Sequence, residues 1–171
     1  MPDGETTLHL VCGKIASGKS TLAGQLAKQP ASVLITEDHW LSRLYPDEII
    51  SVKDYVRCSR RLRGVMGEHV TSLLSAGLSV VLDFPANTVD IRAWMRGISE
   101  NAGVENRLHY LEVSDTVCKA RLRQRNADGG HDFAASEADY DVVTSYFVPP
   151  SADEGFNISV YSEGDGISIS T

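Results

Sequence analysis

The sequence predicts an α/β protein whose five-stranded parallel sheet carries helices on both faces. Three observations predict it. Short β-rich apolar runs alternate with segments of helical periodicity, the pattern of strands joined by helical crossovers. No internal repeat and no linker divides the chain. The 171 residues, 42% of them hydrophobic, fit a single domain with a real core. A domain of this length hides roughly 70% of the surface its unfolded chain exposes.

Thr7–Cys12 is the first strand, and Thr21–Gln29 the first helix, with Leu22 and Leu26 one turn apart and Pro30 following. Ser32–Thr36 is a second strand. Trp40–Leu44 is a short helix that ends near Pro46. In Val52–Leu74 the residues Val52, Tyr55, Val56, Leu62, Val65, Met66, Val70, Leu73 and Leu74 form a core-facing helical stripe, which Gly77 ends. Its Arg60-Arg61-Leu62-Arg63 run reads as a solvated face, with a charge contribution to an anion-binding cleft as the alternative. Leu78–Phe84 is a buried-type strand and Val89–Asn101 a helix that directs Trp94 and Met95 inward. Leu108–Val113 is the fourth strand. Ser114 caps a helix over Asp115–Arg125, where Asp115 suits the positive end of the dipole. Asn126–Ser136 is a polar loop containing glycines. Ser136-x-x-Asp139 resembles a capping box and opens a helix to about Tyr146. Val148–Gly155 is a rigid turn, Phe156–Tyr161 the fifth strand, and a short polar tail closes the chain.

The net charge of −7 and a pI near 5.1 argue against tight, non-specific association with nucleic acid. The three cysteines, Cys12, Cys58 and Cys118, are widely spaced and form no metal-binding pattern, so they read as reduced, buried thiols. The opening MPDGETT has neither the basic stretch nor the apolar run of a signal peptide. No apolar run approaches the ~20 residues that span a bilayer. The expectation is a cytoplasmic protein without a membrane partner.

Between the first strand and the first helix stands Gly13-x-x-x-x-Gly18-Lys19-Ser20, a gapless phosphate-binding motif in the strand–loop–helix setting that the motif requires. Its glycines let successive backbone N–H groups curl toward phosphate oxygens, and the helix that follows points its positive end at the same anion. The expected cradle runs over Gly13, Lys14, Ala16, Ser17, Gly18, Lys19, Ser20 and Thr21. Lys19 reaches the β- and γ-phosphates, and the Ser20 hydroxyl is offered to Mg²⁺. The expected ligand is ATP or GTP.

Four further residues direct the phosphate. Asp38 follows the second strand, at the edge where ligands sit in a parallel sheet, and is a candidate base for an acceptor hydroxyl. Glu37 is the neighbouring alternative, and a capping role is the competing reading. Asp83 follows four apolar residues at the end of the third strand, the pattern of a magnesium ligand. It is also a candidate anchor for the acceptor or a turn residue. Arg121 and Arg125 share one helix face just before the glycine-containing loop, placed to close over phosphates or to form a basic surface. Asn87 is a weaker candidate for substrate contact, and His39 and Trp40 are candidates for stacking or for the core. The residues leave open which of Asp38 and Asp83 is the base, ATP against GTP, and the oligomeric state.

With these motifs the chain resembles the small P-loop kinases grouped with zeta toxins, chloramphenicol phosphotransferase and the kinase domain of polynucleotide kinases, an AAA-type ATP-binding domain. The resemblance runs from LVCGKIASGKS to GFNISVY and includes Asp38, Asp83 and the RLRQR of Arg121–Arg125. It implies a three-layer P-loop NTPase fold with strand order 2-3-1-4-5. It also implies transfer of the γ-phosphoryl group of ATP, with Mg²⁺, to a hydroxyl. In that scheme Asp38 is the base, Arg121 and Arg125 are lid arginines in a lid-like segment over 121–136, and the nucleotide base lies near Pro149–Gly155. Polynucleotide kinases carry an arginine shortly after the catalytic aspartate, whereas position 41 here is Leu and the nearest arginine is Arg43. The resemblance therefore implies a small-molecule hydroxyl acceptor rather than a nucleic acid. A regulatory ATPase acting on a partner protein and a 5′-hydroxyl kinase are the alternatives.

Overall fold

The computed structural model describes residues 5–164; the terminal polar tail lies largely outside them. Five strands, β1 (Thr7–Cys12), β2 (Ser32–Thr36), β3 (Ser79–Pro85), β4 (Glu105–Glu112) and β5 (Ile158–Ser162), form one sheet in the order β2-β3-β1-β4-β5. Every neighbouring pair is parallel. The expected strand order is the observed one.

Alternation on β1 shows why both faces must be covered. Leu8, Leu10 and Cys12 point to one side, into a core shared with α2 (Glu37–Leu44), α3 (Val52–Ser75) and α4 (Val89–Ala102). Val11 points to the other side, against Leu22 and Leu26 of α1 (Lys19–Leu26). A smaller cluster of Cys118, Leu122 and Tyr140 joins α5 (Asp115–Asp128) to α6 (Glu137–Thr144). All three cysteines are buried and free. Among the described residues no helix is long and apolar enough to cross a membrane.

Capping sets most helix starts. Ser51, Thr88, Ser114 and Ser136 each accept a bond from a backbone N–H of the first turn, and Ser136 with Asp139 completes a capping box. Several boundaries differ from the sequence reading. Helix α1 starts at Lys19, directly after the left-handed Gly18, and α2 at Glu37, where the chain turns straight from β2 into the helix. Strand β4 starts at Glu105, since its polar residues Glu105–Arg107 pair with β1 and the ladder decides where apolar character does not. Helix α5 runs to Asp128 and stops at Gly129, whose φ of 73° is costly for a residue with a Cβ. The long α3 tolerates Gly67 for a packing reason: a Cβ there would stand 3.3 Å from Trp94 Nε1 on α4.

One buried ion pair locks the segment before β5. Arg92 of α4 is fully buried. It donates from Nε and Nη2 to Glu154 at 2.6 and 2.9 Å, and from Nη1 to the carbonyls of Ala86 and Val148 at 3.0 and 2.8 Å. Removing the guanidinium leaves a carboxylate and two carbonyls without their partner. Arg92→Met therefore costs about 3–5 kcal/mol of stability, read as a lowered denaturant midpoint. An unchanged midpoint would show that the clamp contributes nothing.

A second buried polar line crosses the sheet. His9 Nδ1 lies 3.1 Å from His109 Nε2, and His109 Nδ1 lies 2.8 Å from the Tyr161 hydroxyl. Burial, with Arg107 nearby, pulls His9 down to about 4 and His109 to about 3. The unfolded chain thus binds more protons than the folded one below the ordinary value of 6.5, and stability falls as pH drops from there toward 4. Glu37, which burial pushes up to about 7, acts in the opposite sense. The histidine share is isolated by His9→Gln, which flattens the loss of melting temperature between pH 7 and pH 5. A slope identical to that of the unmodified protein would remove the histidines from the account.

Candidate functional site

The Gly13–Ser20 loop joins β1 to α1. Gly13 leaves no room for a side chain, since a Cβ would stand 2.5 Å from Ser17 Oγ and 3.1 Å from the Leu111 carbonyl. Gly18, the residue before α1, has φ 105°. Ala16 holds φ 61°, a left-handed conformation that costs roughly 1–2 kcal/mol for a residue with a Cβ. Such strain concentrates where backbone N–H groups are aimed at a ligand.

Asn87 supports the loop from the segment after β3. Its Oδ1 accepts from the Gly13 N–H at 3.0 Å, and its Nδ2 donates to the Gly13 carbonyl at 2.8 Å. The sequence reading offered Asn87 for substrate contact, whereas its amide is engaged with the loop backbone. Lys14 sends its ammonium to Asp115 at 2.7 Å, away from the loop's concave side. The half-buried Lys19 donates to the Gly13 and Lys14 carbonyls, both at 2.7 Å. Burial lowers the Lys19 pKa, and the Asp83 carboxylate opposes that shift. Ser20 donates to Asp83 Oδ2 at 2.8 Å. Burial raises the Asp83 carboxyl above its ordinary value, and the Ser20 hydroxyl and Lys19 pull it back.

These elements open onto a cleft of about 1000 Å³, at the top of the range for single small-ligand sites. Ala16–Thr21, Asp38, Asp83, Arg121 and Arg125 all line it. Arg121 Nη1 donates to the Ser17 carbonyl at 3.2 Å. Arg125 Nε is buried with no partner, as is Ser17 Oγ. Orphaned buried donors at the mouth of a glycine-lined cradle fit an anion with several oxygens. Paired hydroxyl and carboxylate oxygens, Ser20 and Asp83, fit a hard cation that takes its remaining ligands from phosphate and water. Among the described residues no group of three or more His, Cys, Asp or Glu side chains is placed to hold a metal alone.

Asp38 and Glu37 separate because both lie on the first turn of α2 rather than at a strand end. Asp38 is exposed on the cleft, and Glu37 is buried at 2% exposure against α3. Glu37 accepts from Ser59 and from the Tyr55 hydroxyl, the latter at 2.9 Å, and the same hydroxyl lies 2.6 Å from Asp38 Oδ1. One phenolic proton cannot serve two carboxylates. Burial raises the Glu37 carboxyl to about 7, while its hydrogen bonds from Ser59 and Tyr55 pull it down, and Tyr55 thereby stands between a buried and an exposed carboxyl. Tyr55 read as one residue of a core stripe, and nothing in its spacing marked its hydroxyl. His39 and Trp40 do not line the cleft, nor do Arg60, Arg61 and Arg63. The Pro149–Gly155 turn is held by Arg92 and Arg96. Pro149 lines a separate cavity of about 610 Å³ with Lys14 and Ser114.

A family model described as an AAA domain matches residues 8–150, most of the chain and all of the cleft's phosphate end. The chain belongs to the AAA domain family. No curated protein matches this AAA domain. Among solved structures it is similar to a protein from Chloroflexus aurantiacus J-10-fl with a provisional kinase description, at 22% identity and a TM-score of 0.72, covering 94% of this chain and 86% of that one. It is similar to Kti12 of Chaetomium thermophilum in complex with ADP-AlF3, at 15% identity and a TM-score of 0.71, covering 94% and 91%. It is also similar to the APS kinase CysC of Mycobacterium tuberculosis in complex with AMPPNP and APS, at 18% identity and a TM-score of 0.61, covering 95% and 91%. At these identities the likeness is one of fold. The AAA domain described here has the P-loop architecture that small kinases share.

Proposed function

We propose that this chain is an ATP-dependent phosphotransferase that moves the γ-phosphoryl group to a hydroxyl of a small molecule. The observation that carries the reading is the meeting of three groups in one cleft: the glycine-lined cradle with Lys19, the Ser20–Asp83 pair, and Asp38 held by Tyr55. The structural neighbours in complex with ADP-AlF3 and with AMPPNP and APS support nucleotide binding and a small acceptor.

The backbone of Gly13–Thr21 holds the phosphates, and Lys19 exchanges its two carbonyl partners for phosphate oxygens. Ser20 and Asp83 hold Mg²⁺, which supplies charge neutralisation when bound. Asp38 orients the acceptor hydroxyl and takes its proton, and Tyr55 keeps the carboxylate turned toward the cleft. Arg121 and Arg125, on the last turns of α5 before the 129–136 loop, close over the developing charge as a lid within a single domain.

The test is an ATP-consumption panel with nucleosides, nucleotides, sugars, hydroxylated antibiotics and 5′-hydroxyl oligonucleotides. Acceptor-dependent consumption with a phosphorylated small-molecule product is the expected result. Slow hydrolysis that no acceptor accelerates would replace this reading with a regulatory ATPase, and steep salt-dependent use of oligonucleotides would replace it with a 5′-hydroxyl kinase.

A further inference from the structure

The two ends of the cleft have opposite chemistry. Three permanent cations line it, Lys19, Arg121 and Arg125. Lys19 and Arg121 are bonded to the cradle's own carbonyls, while Arg125, one helical turn beyond Arg121, stands between that end and Asp38, whose charge acts on it. Past Asp38 the wall becomes apolar. Ile49, Ile50 and Val52 form one part of it. Tyr55 and Phe133 form another, their rings edge to face with centroids 5.6 Å apart. No lysine or arginine lines that end.

Apart from His131 on the loop side, the remaining titratable side chains in the cleft, tyrosine aside, are carboxylates. Asp38 and Asp83 face its interior, and Asp128, Asp132 and Asp139 stand at the loop side. Asp132, beside Phe133, makes no ion pair among the described residues. Five carboxylates thus face three cations, before a magnesium-bound triphosphate adds its own net negative charge. An acceptor that brought a phosphate, sulfate or carboxylate would be desolvated against apolar side chains and set among more carboxylates than cations, with Arg125 alone of the three cations near Asp38. An ammonium group would meet unpaired carboxylate, and a ring would meet Phe133 and Tyr55.

We propose that the acceptor is an alcohol with an apolar, ring-sized body that is either uncharged or carries an ammonium group, and that it lies between Ile49–Val52 and Phe133 with its hydroxyl at Asp38. The inference rests on the phosphotransfer reading for the hydroxyl's fate, and on the wall alone for the body and charge.

A matched set of probes separates the two. Phenylalaninol, 3-phenylpropan-1-ol and 3-phenyllactate present the same benzyl group and a hydroxyl, with an ammonium, no charge and a carboxylate. Binding of each to the full chain is measured by calorimetry or saturation-transfer NMR, alone and with Mg–AMPPNP, and Mg–AMPPNP is titrated separately. The ammonium and uncharged members are expected to bind at least about tenfold more tightly than phenyllactate. Phe133→Ala should weaken them by about tenfold. Ile50→Lys, at a position 90% exposed where a lysine does not disturb folding, should shift the preference toward phenyllactate. Equal or tighter binding of phenyllactate to the unmodified protein overturns the proposal, as does no binding of any probe to protein that takes up Mg–AMPPNP. If Mg–AMPPNP fails to bind, the phosphotransfer reading falls, while the ranking measured on protein alone still decides the chemistry of the wall.

Discussion

Asp38→Asn is expected to lower phosphoryl transfer by about 10²–10⁴-fold, the range for loss of a positioned general base, and to leave ATP affinity within about twofold. Asparagine keeps the size of the side chain and can still accept from Tyr55, but it cannot take a proton from the acceptor. Asp38 sits on α2 and is bonded to Tyr55, with no hydrogen bond to the phosphate-binding loop among the described residues. The split between turnover and nucleotide affinity is therefore the informative quantity, and steady-state kinetics beside an ATP titration measure it. Tyr55→Phe is a graded companion. It keeps the ring against Phe133, removes the hydroxyl that fixes Asp38, and should cost about tenfold in turnover with little change in ATP affinity. Full activity in Asp38→Asn would transfer the role of base to Asp83 or to no side chain at all.

Lys19→Ala acts on both quantities. Its ammonium sits on two loop carbonyls 2.7 Å away, whereas that of Lys14, the loop's other cation, pairs with Asp115. Losing a charge-assisted bond to phosphate weakens ATP binding by at least about tenfold, and losing charge at the transferred group lowers turnover by about 10²-fold or more. Calorimetry with AMPPNP reads the first effect and kinetics the second. A melting curve close to that of the unmodified chain shows that the two freed carbonyls have not unfolded the loop. An ATP titration identical to that of the original protein would remove the loop from nucleotide binding.

The parts legible in the sequence were those fixed by local rules. The glycine spacing at 13 and 18, the period of α3, the caps at Ser114 and Ser136, and the alternation of strand and helix each follow from a few adjacent residues. The alternatives left open were long-range. Neither Glu37 nor Asp38 announces which way it faces; the early start of α2 rotates one into the cleft and the other against Ser59, 22 residues away. Asn87 looked free because its partner, Gly13, lies 74 positions earlier. Tyr55 looked like core because an aromatic ring packs in the same way whether or not its edge borders a ligand, and Phe133 was one apolar residue in a segment read as a polar loop.

The division of the cleft has a practical corollary for redesign. On the proposed reading the triphosphate is held by one short loop and one helix, braced by Asn87, whereas the opposite wall comes from chain segments 49–52 and 131–135, which among the described residues share no hydrogen bond with that loop. Libraries confined to those two segments can exchange one alcohol for another while the energy source stays untouched, so a small chain of this kind is a natural chassis for tailoring regioselective phosphorylation.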